Sequence, residues 1–172
     1  AGYEVLGFDV DPKKIKCLNT GVPYLKHLGE DFSKEISASD RFEASCSVED
    51  LKRADIISLC VPTPLGKHND PDLTFVIEST KTVAKILRKG QLVVLESTTY
   101  PGTTRDEMLP ILESSGLTHG KDFFLAYSPE REDPGRKTES TQSIPKLVGG
   151  LDKTSGKLAH EFYGRVVKRA HL

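Results

Sequence analysis

The stretch DIISLCVPTP, Asp55–Pro64, decides how the rest of the chain is read. Its run Ile56–Val61 is apolar except for Ser58 and lacks the polar alternation of a strand with one wet face. Such a run suits a strand covered on both faces, as in a parallel sheet packed between helices. Pro62 and Pro64 then forbid further strand and hold an extended turn. The same design returns twice: LVVLE (92–96) runs into STTYPG, and FFLAY (123–127) runs into SPERE. Helical patterns separate the three strands. In a doubly wound sheet all three loops emerge at the carboxyl edge, where such folds bind ligands.

Outward from these strands, the alternation of βαβ units calls for an α/β domain with a mainly parallel sheet. Glu4–Asp9 reads as a strand ending in an acid. Asp11-Pro12 opens a short helix carrying Ile15 and Leu18, and Gly21 closes it. Val22–Asp40 is polar and irregular, with YLKHL starting a helical turn. Phe42–Ser45 is a short strand, and Ser47 with Asp50 has the spacing of a capping box for SVEDLKRA. Asp72 caps the longest helix, whose stripe is Val76, Ile77, Thr80, Val83, Ala84 and Leu87, before Gly90. A helix from about Thr103 is kinked or shortened by Pro110. PKLVGG (145–150) is a short strand. The last helix, about 153–168, shows Leu158, Ala159, Phe162, Val166 and Val167 on one side.

With 172 residues and 37% hydrophobic side chains the chain can bury one core, and a single domain is expected. A formal charge of −1 with no basic run offers no field for nucleic acid or an anionic membrane. Cys17, Cys46 and Cys60 form neither a metal spacing nor an even disulfide set, which favours a reducing, cytoplasmic compartment and no metal. No apolar run approaches the roughly 18 residues of a membrane span, and no signal-peptide pattern is present. There is no G-x-S-x-G, no P-loop and no Tyr-x-x-x-Lys pair.

The candidate chemistry lies at strand ends. Asp9 either bonds the adenine ribose of a dinucleotide, as an acid at that place does in dinucleotide-binding folds, or competes with Asp11 to cap the helix. As a ribose ligand it disfavours the phosphate of NADP, so the cofactor would be NAD. Lys14, one turn on, approaches the same ribose or is solvated. Thr63 is held between two prolines by a turn that needs no ligand to explain it. Thr98 and Thr99 follow a buried strand, where a hydroxyl either holds a water or a carboxamide or is simply an ordinary strand-end residue. Glu130 sits just beyond FFLAY, where a carboxylate either serves as a general base or is simply solvated. No cysteine has the setting of a nucleophile. The glycine-rich fingerprint that accompanies a ribose acid would fall roughly 20 residues before Asp9, ahead of Ala1.

Taken in order, GFDVDP, LNTG, CVPTPL with PDL, LESTTYPGTT, LAYSPERE-DPG and IPKLVGG resemble the NAD-binding N-terminal domain of the UDP-glucose/GDP-mannose dehydrogenase family. YLKHL, VPTPL, STTYPGTT and SPERE-DPG are closest to its UDP-N-acetylhexosamine branch. The resemblance implies a Rossmann-like doubly wound domain over 1–172, lacking its first strand and glycine-rich loop. It implies oxidation of a sugar C6 alcohol to the carboxylate in two NAD-dependent steps, through a thioester on a cysteine. Asp9 and Lys14 match the adenosine-ribose contacts, and Val61, Pro62 and Thr63 match the loop passing the cofactor. Thr98 matches the threonine that positions a catalytic water, and Glu130 the acid that serves in thioester hydrolysis. STTYPG is one residue longer than the usual loop, which leaves Thr98 or Thr99 as a choice. Pro134 stands where the family has a second acid, and Glu132 or Asp133 could substitute.

The nucleophilic cysteine, its helper lysine and asparagine, and the dimerising helix would lie beyond Leu172. The expected parent is therefore a cytoplasmic homo-oligomer acting on a UDP-sugar for polysaccharide biosynthesis, with no nucleic acid or membrane partner. This chain alone would be inactive. An absent first strand would leave strands two and four apart, the gap filled by an upstream βα unit, another chain or a rearranged strand. Two readings compete: a two-domain dehydrogenase of the 6-phosphogluconate or hydroxyisobutyrate type, and a non-catalytic dinucleotide-sensing module.

Overall fold

The computed structural model describes residues 2–24, 29–66, 71–130 and 144–172. The chain forms two compact units, Ala1–Ala54 and Asp55–Leu172.

In the first unit β1 (Val5–Phe8) leads into α1 (Pro12–Thr20), α2 (Gly29–Ser37) and β2 (Phe42–Ser45). β1 and β2 pair in parallel, Val5 opposite Phe42 and Phe8 opposite Ser45. Helix α1 starts where Asp11, in extended conformation, accepts the Lys13 N–H, and Pro12 takes the first turn, where a missing N–H costs nothing. It ends at Gly21, whose φ of 69° lets its N–H reach the Cys17 carbonyl. Helix α2 falls in the segment that reads as irregular, because its residues are almost all polar and only Phe32 and Ile36 mark a face. Leu25–Leu28 of YLKHL lie outside the described residues. The expected capping box at Ser47 does not form: the turn Val48–Arg53 is 3₁₀, and Asp50 instead accepts the hydroxyl of Ser45 at 2.5 Å.

The second unit contains β3 (Ile56–Leu59), α3 (Thr74–Ile86), β4 (Leu92–Leu95), α4 (Leu109–Glu113) and β5 (Phe124–Tyr127). It continues through β6 (Lys146–Leu147), β7 (Gly149–Gly150), α5 (Lys153–Gly164) and β8 (Ala170–His171). The sheet order is β3-β4-β5-β7, with the first three parallel and β7 antiparallel. The mainly parallel sheet is therefore as expected. PKLVGG divides in two: β6 pairs with β8, which the sequence reading misses, and β7 closes the sheet edge on β5.

The centre of burial is not where the opening stretch places it. All four residues of β4 are buried, whereas β3 buries Ile57 and Leu59 and leaves Ser58 exposed. β3 has one ladder partner, so among the described residues of this unit it is an edge strand, covered less completely than its composition suggests. Leu92, Val94 and Ala126 pack against Val148, Ala159 and Tyr163 of the following segment. Val93, Leu95 and Leu125 point the other way and are equally inaccessible. Helix α5 meets the sheet through Ser155, Gly156, Ala159 and Tyr163, so Leu158, one position out of that row, is exposed. Pro110 acts as anticipated. With no N–H to give to a preceding carbonyl, it stands where a π-helical turn, Thr103–Met108, gives way to α4.

Candidate functional site

In the first unit Asp9 and Asp11 divide the work that the sequence leaves ambiguous. Asp11 caps α1, while Asp9 stands just before it and accepts the Asp11 N–H on Oδ1 at 2.9 Å. Its Oδ2 accepts Lys14 Nζ at 2.8 Å. Lys14 is therefore paired, not merely solvated. Burial pushes the Asp9 carboxyl up, but the bonds from Lys14 and Asp11 outweigh it and hold the group below its ordinary value. The same bond from Asp9 holds Lys14 above its own. The result is an ionised carboxylate, 32% exposed, that can only accept hydrogen bonds. Each oxygen keeps a second lone pair, which fits the hydroxyls of a ribose and opposes a phosphate.

The second unit brings the other candidates to the carboxyl ends of its three parallel strands. After β3, Val61 is fixed by a hydroxyl: its N–H donates to Ser97 Oγ at 3.0 Å, and Ser97 donates back to the Val61 carbonyl at 2.6 Å. Pro62 is exposed and Thr63 half-buried, and the loop closes where the Asp72 N–H meets the Pro64 carbonyl at 2.8 Å. Thr98 follows Ser97 directly and is exposed, with Thr99 more covered. After β5, Ser128 is fully buried, donating its N–H to the Leu95 carbonyl and its hydroxyl to the Leu147 carbonyl at 2.7 Å. Glu130 stands two residues on, at the surface. Glu132, Asp133 and Pro134 lie outside the described residues.

Sequence reasoning passes over a polar cluster beneath this edge. Glu96 accepts Ser58 Oγ at 2.5 Å and Tyr163 Oη at 2.6 Å on one oxygen, and Lys146 Nζ at 2.5 Å on the other. The Lys146 ammonium also lies 5.0 Å from the Tyr163 ring centroid. Burial works to raise the Glu96 carboxyl, yet Lys146, Ser58 and Tyr163 together hold it below the usual range. Burial, then the Glu96 charge, pushes the Tyr163 phenol far up. The one available signal was a charged residue ending a buried run, LVVLE, with a lysine inside the apolar PKLVGG. Cys60 is exposed just beyond β3, and the partial cover of its sulfur with the nearby Glu96 charge holds the thiol above its ordinary value, the reverse of what a nucleophile needs. Among the described residues no helix is long and apolar enough to cross a membrane.

The sequence model of the UDP-glucose/GDP-mannose dehydrogenase family, NAD binding domain, matches residues 1–167. Protein CapL of Staphylococcus aureus is 40% identical over 166 residues, covering 96% of this chain and 38% of that protein. The UDP-N-acetyl-D-glucosamine 6-dehydrogenase of Pseudomonas aeruginosa is 35% identical, covering 95% of this chain and 38% of that enzyme. Among solved structures, the UDP-D-ManNAc dehydrogenase of Pyrococcus horikoshii superposes with a TM-score of 0.90 at 37% identity, covering 99% of this chain and 41% of that one. The chain thus spans about two fifths of the length of these relatives.

Proposed function

Because this chain belongs to the UDP-glucose/GDP-mannose dehydrogenase family, as its NAD binding domain, we propose that it is the cofactor half of a nucleotide-sugar 6-dehydrogenase acting on a UDP-N-acetylhexosamine. The single observation that carries the reading is the Asp9–Lys14 pair, an ionised acceptor displayed at a strand end beside a helix it does not cap. Asp9 would take the two ribose hydroxyls and Lys14 would steady them. Val61, Pro62 and Thr63 would line the cofactor's path. When bound, NAD supplies the hydride acceptor. Thr98, exposed beyond a rigid strand end, would hold a water through its hydroxyl, and Glu130 would take the proton of that water as it attacks the thioester. The nucleophile and the rest of the sugar site belong to the remainder of the enzyme. The same reading makes the parent a cytoplasmic homo-oligomer that feeds polysaccharide biosynthesis and engages neither nucleic acid nor membrane.

The test is a calorimetric titration of the full-length protein with NAD and NADP, then with Asp9→Ala. Binding of NAD at least tenfold tighter than NADP, reduced to near parity by Asp9→Ala, is expected. Equal affinities in the native protein would remove Asp9 from the ribose. For the chemistry, Glu130→Gln should slow release of the acid more than the first hydride transfer, so that thioester accumulates. Equal slowing of both steps would reassign Glu130 to substrate binding.

A further inference from the structure

The end of the β3/β4 ladder poses a hydrogen-bonding problem that one side chain solves. The last backbone rung runs from the Glu96 N–H to the Leu59 carbonyl at 2.9 Å. Asp55 and Leu59 accept from Leu92 and Glu96, so alternate residues of this strand face β4 and Val61 is the next to do so. Past Val61 the prolines end the strand. Val61 therefore needs a partner for both its N–H and its carbonyl. A hydroxyl is donor and acceptor at once, and Ser97 Oγ uses both capacities on this one residue, at 3.0 and 2.6 Å. Ser97 is 5% exposed, so water competes little for either bond. The residue so clamped begins the loop assigned to the cofactor, and the residue after the clamp is Thr98.

We propose that Ser97 is a positioning residue for NAD: its hydroxyl ties the Val61–Thr63 loop to the Thr98 loop, so that the two present one preorganised edge to the cofactor. This rests on the NAD reading above. Successive side chains at the β4 terminus both anchor it, Glu96 to Ser58, Lys146 and Tyr163, and Ser97 to Val61. The tether is thus fixed at its own root. A loop held in its bound conformation before the ligand arrives spares the ligand that ordering cost. Without the hydroxyl, the Val61 groups have no protein partner and the turn loosens.

The experiment uses the full-length protein, with Ser97→Ala, Ser97→Cys and, as a matched loss of a buried hydroxyl elsewhere, Thr80→Val. Thr80 donates to the Val76 carbonyl inside α3 and is fully buried. Two quantities are read apart from turnover: the calorimetric Kd for NAD and for the UDP-sugar, and hydrogen exchange at the Val61 amide. Ser97→Ala should weaken NAD about tenfold, the effect of roughly one lost hydrogen bond, and speed exchange at Val61. The UDP-sugar Kd should stay within about twofold, Ser97→Cys should fall between, and Thr80→Val should leave the NAD Kd unchanged. An unchanged NAD Kd in Ser97→Ala would overturn the proposal. So would equal weakening of NAD and sugar, or equal weakening by Thr80→Val. A native protein that binds no NAD would overturn the functional reading itself, an outcome distinct from a binding-competent protein indifferent to Ser97.

Discussion

The two units use parallel strand pairing at very different depths. In Ala1–Ala54 the buried apolar side chains among the described residues are Ile15, Ala44 and Leu51, and Val5 of β1 is 51% exposed. In Asp55–Leu172 every residue of β4 is buried, and Val93, Val94 and Leu95 are wholly inaccessible. The first unit leans on local polar contacts: the Asp11 cap, Asn19 Nδ2 to the Ala44 carbonyl at 3.1 Å, Asp9–Lys14 and Arg53–Glu43. Exposed ion pairs of this kind add little, because water and salt screen them. Burial of a whole side chain contributes about 1.5–3 kcal/mol. The comparison separates two ways of holding a candidate group: Asp9 is displayed by a polar unit with few buried side chains, while Thr98 follows a densely buried strand. Stability and candidate function are therefore unevenly shared, and substitutions should divide along the same line.

The largest effect belongs to Gly150. A Cβ there would lie 2.0 Å from the Gly156 backbone nitrogen, where β7 meets α5, and no side-chain adjustment can relieve a clash with backbone. Gly150→Ala should cost more than about 4 kcal/mol, or prevent folding of the second unit, as read by urea denaturation. A stable variant would show that this contact is loose and the contrast between units overstated.

Next is Lys146→Met. Lys146 and Glu96 side chains are each 13% exposed, so removing the ammonium leaves a largely buried carboxylate without its countercharge, held only by the Ser58 and Tyr163 hydroxyls. A loss of about 3–5 kcal/mol is expected, and a loss under 1 kcal/mol would place the pair in water.

The acid limb sharpens the same point. Glu96 is held below its ordinary value of 4.5 in the folded state. The unfolded chain therefore binds the proton first, and stability from this group is present above about pH 4.5 and lost as pH falls through the folded value. Glu96→Gln should lower stability at pH 7 and flatten its fall with acid. A slope below pH 4.5 identical to the native protein would assign acid sensitivity to other groups, among them Asp9, Asp122 and Asp152, which are also held low.

The smallest effect closes the series. Val5→Ala in β1 removes methyls that are half in water already and should change stability by under about 0.5 kcal/mol. A cost above 2 kcal/mol by thermal unfolding would mean that β1 is packed far more tightly than its exposure indicates.

What the residue order determines by itself is local. The strand-then-proline turns at 62–64, the Asp11–Pro12 start and Gly21 stop of α1, and the mainly parallel alternation follow from steric and capping rules within a few positions. The ordered motifs carry the family, and with that resemblance the candidates Asp9, Thr98 and Glu130, each of which follows a strand. Only the tertiary structure decides the rest. It makes β4, not β3, the buried strand, because burial depends on a strand's place in the sheet rather than on its composition alone. It joins Ser97 to Val61, Glu96 to Lys146 and Tyr163, and Gly150 to Gly156. The first three are partnerships across 36, 50 and 67 positions, which no periodicity encodes. A polar side chain states what bonds it can make, but strand order and helix packing choose which group will make them.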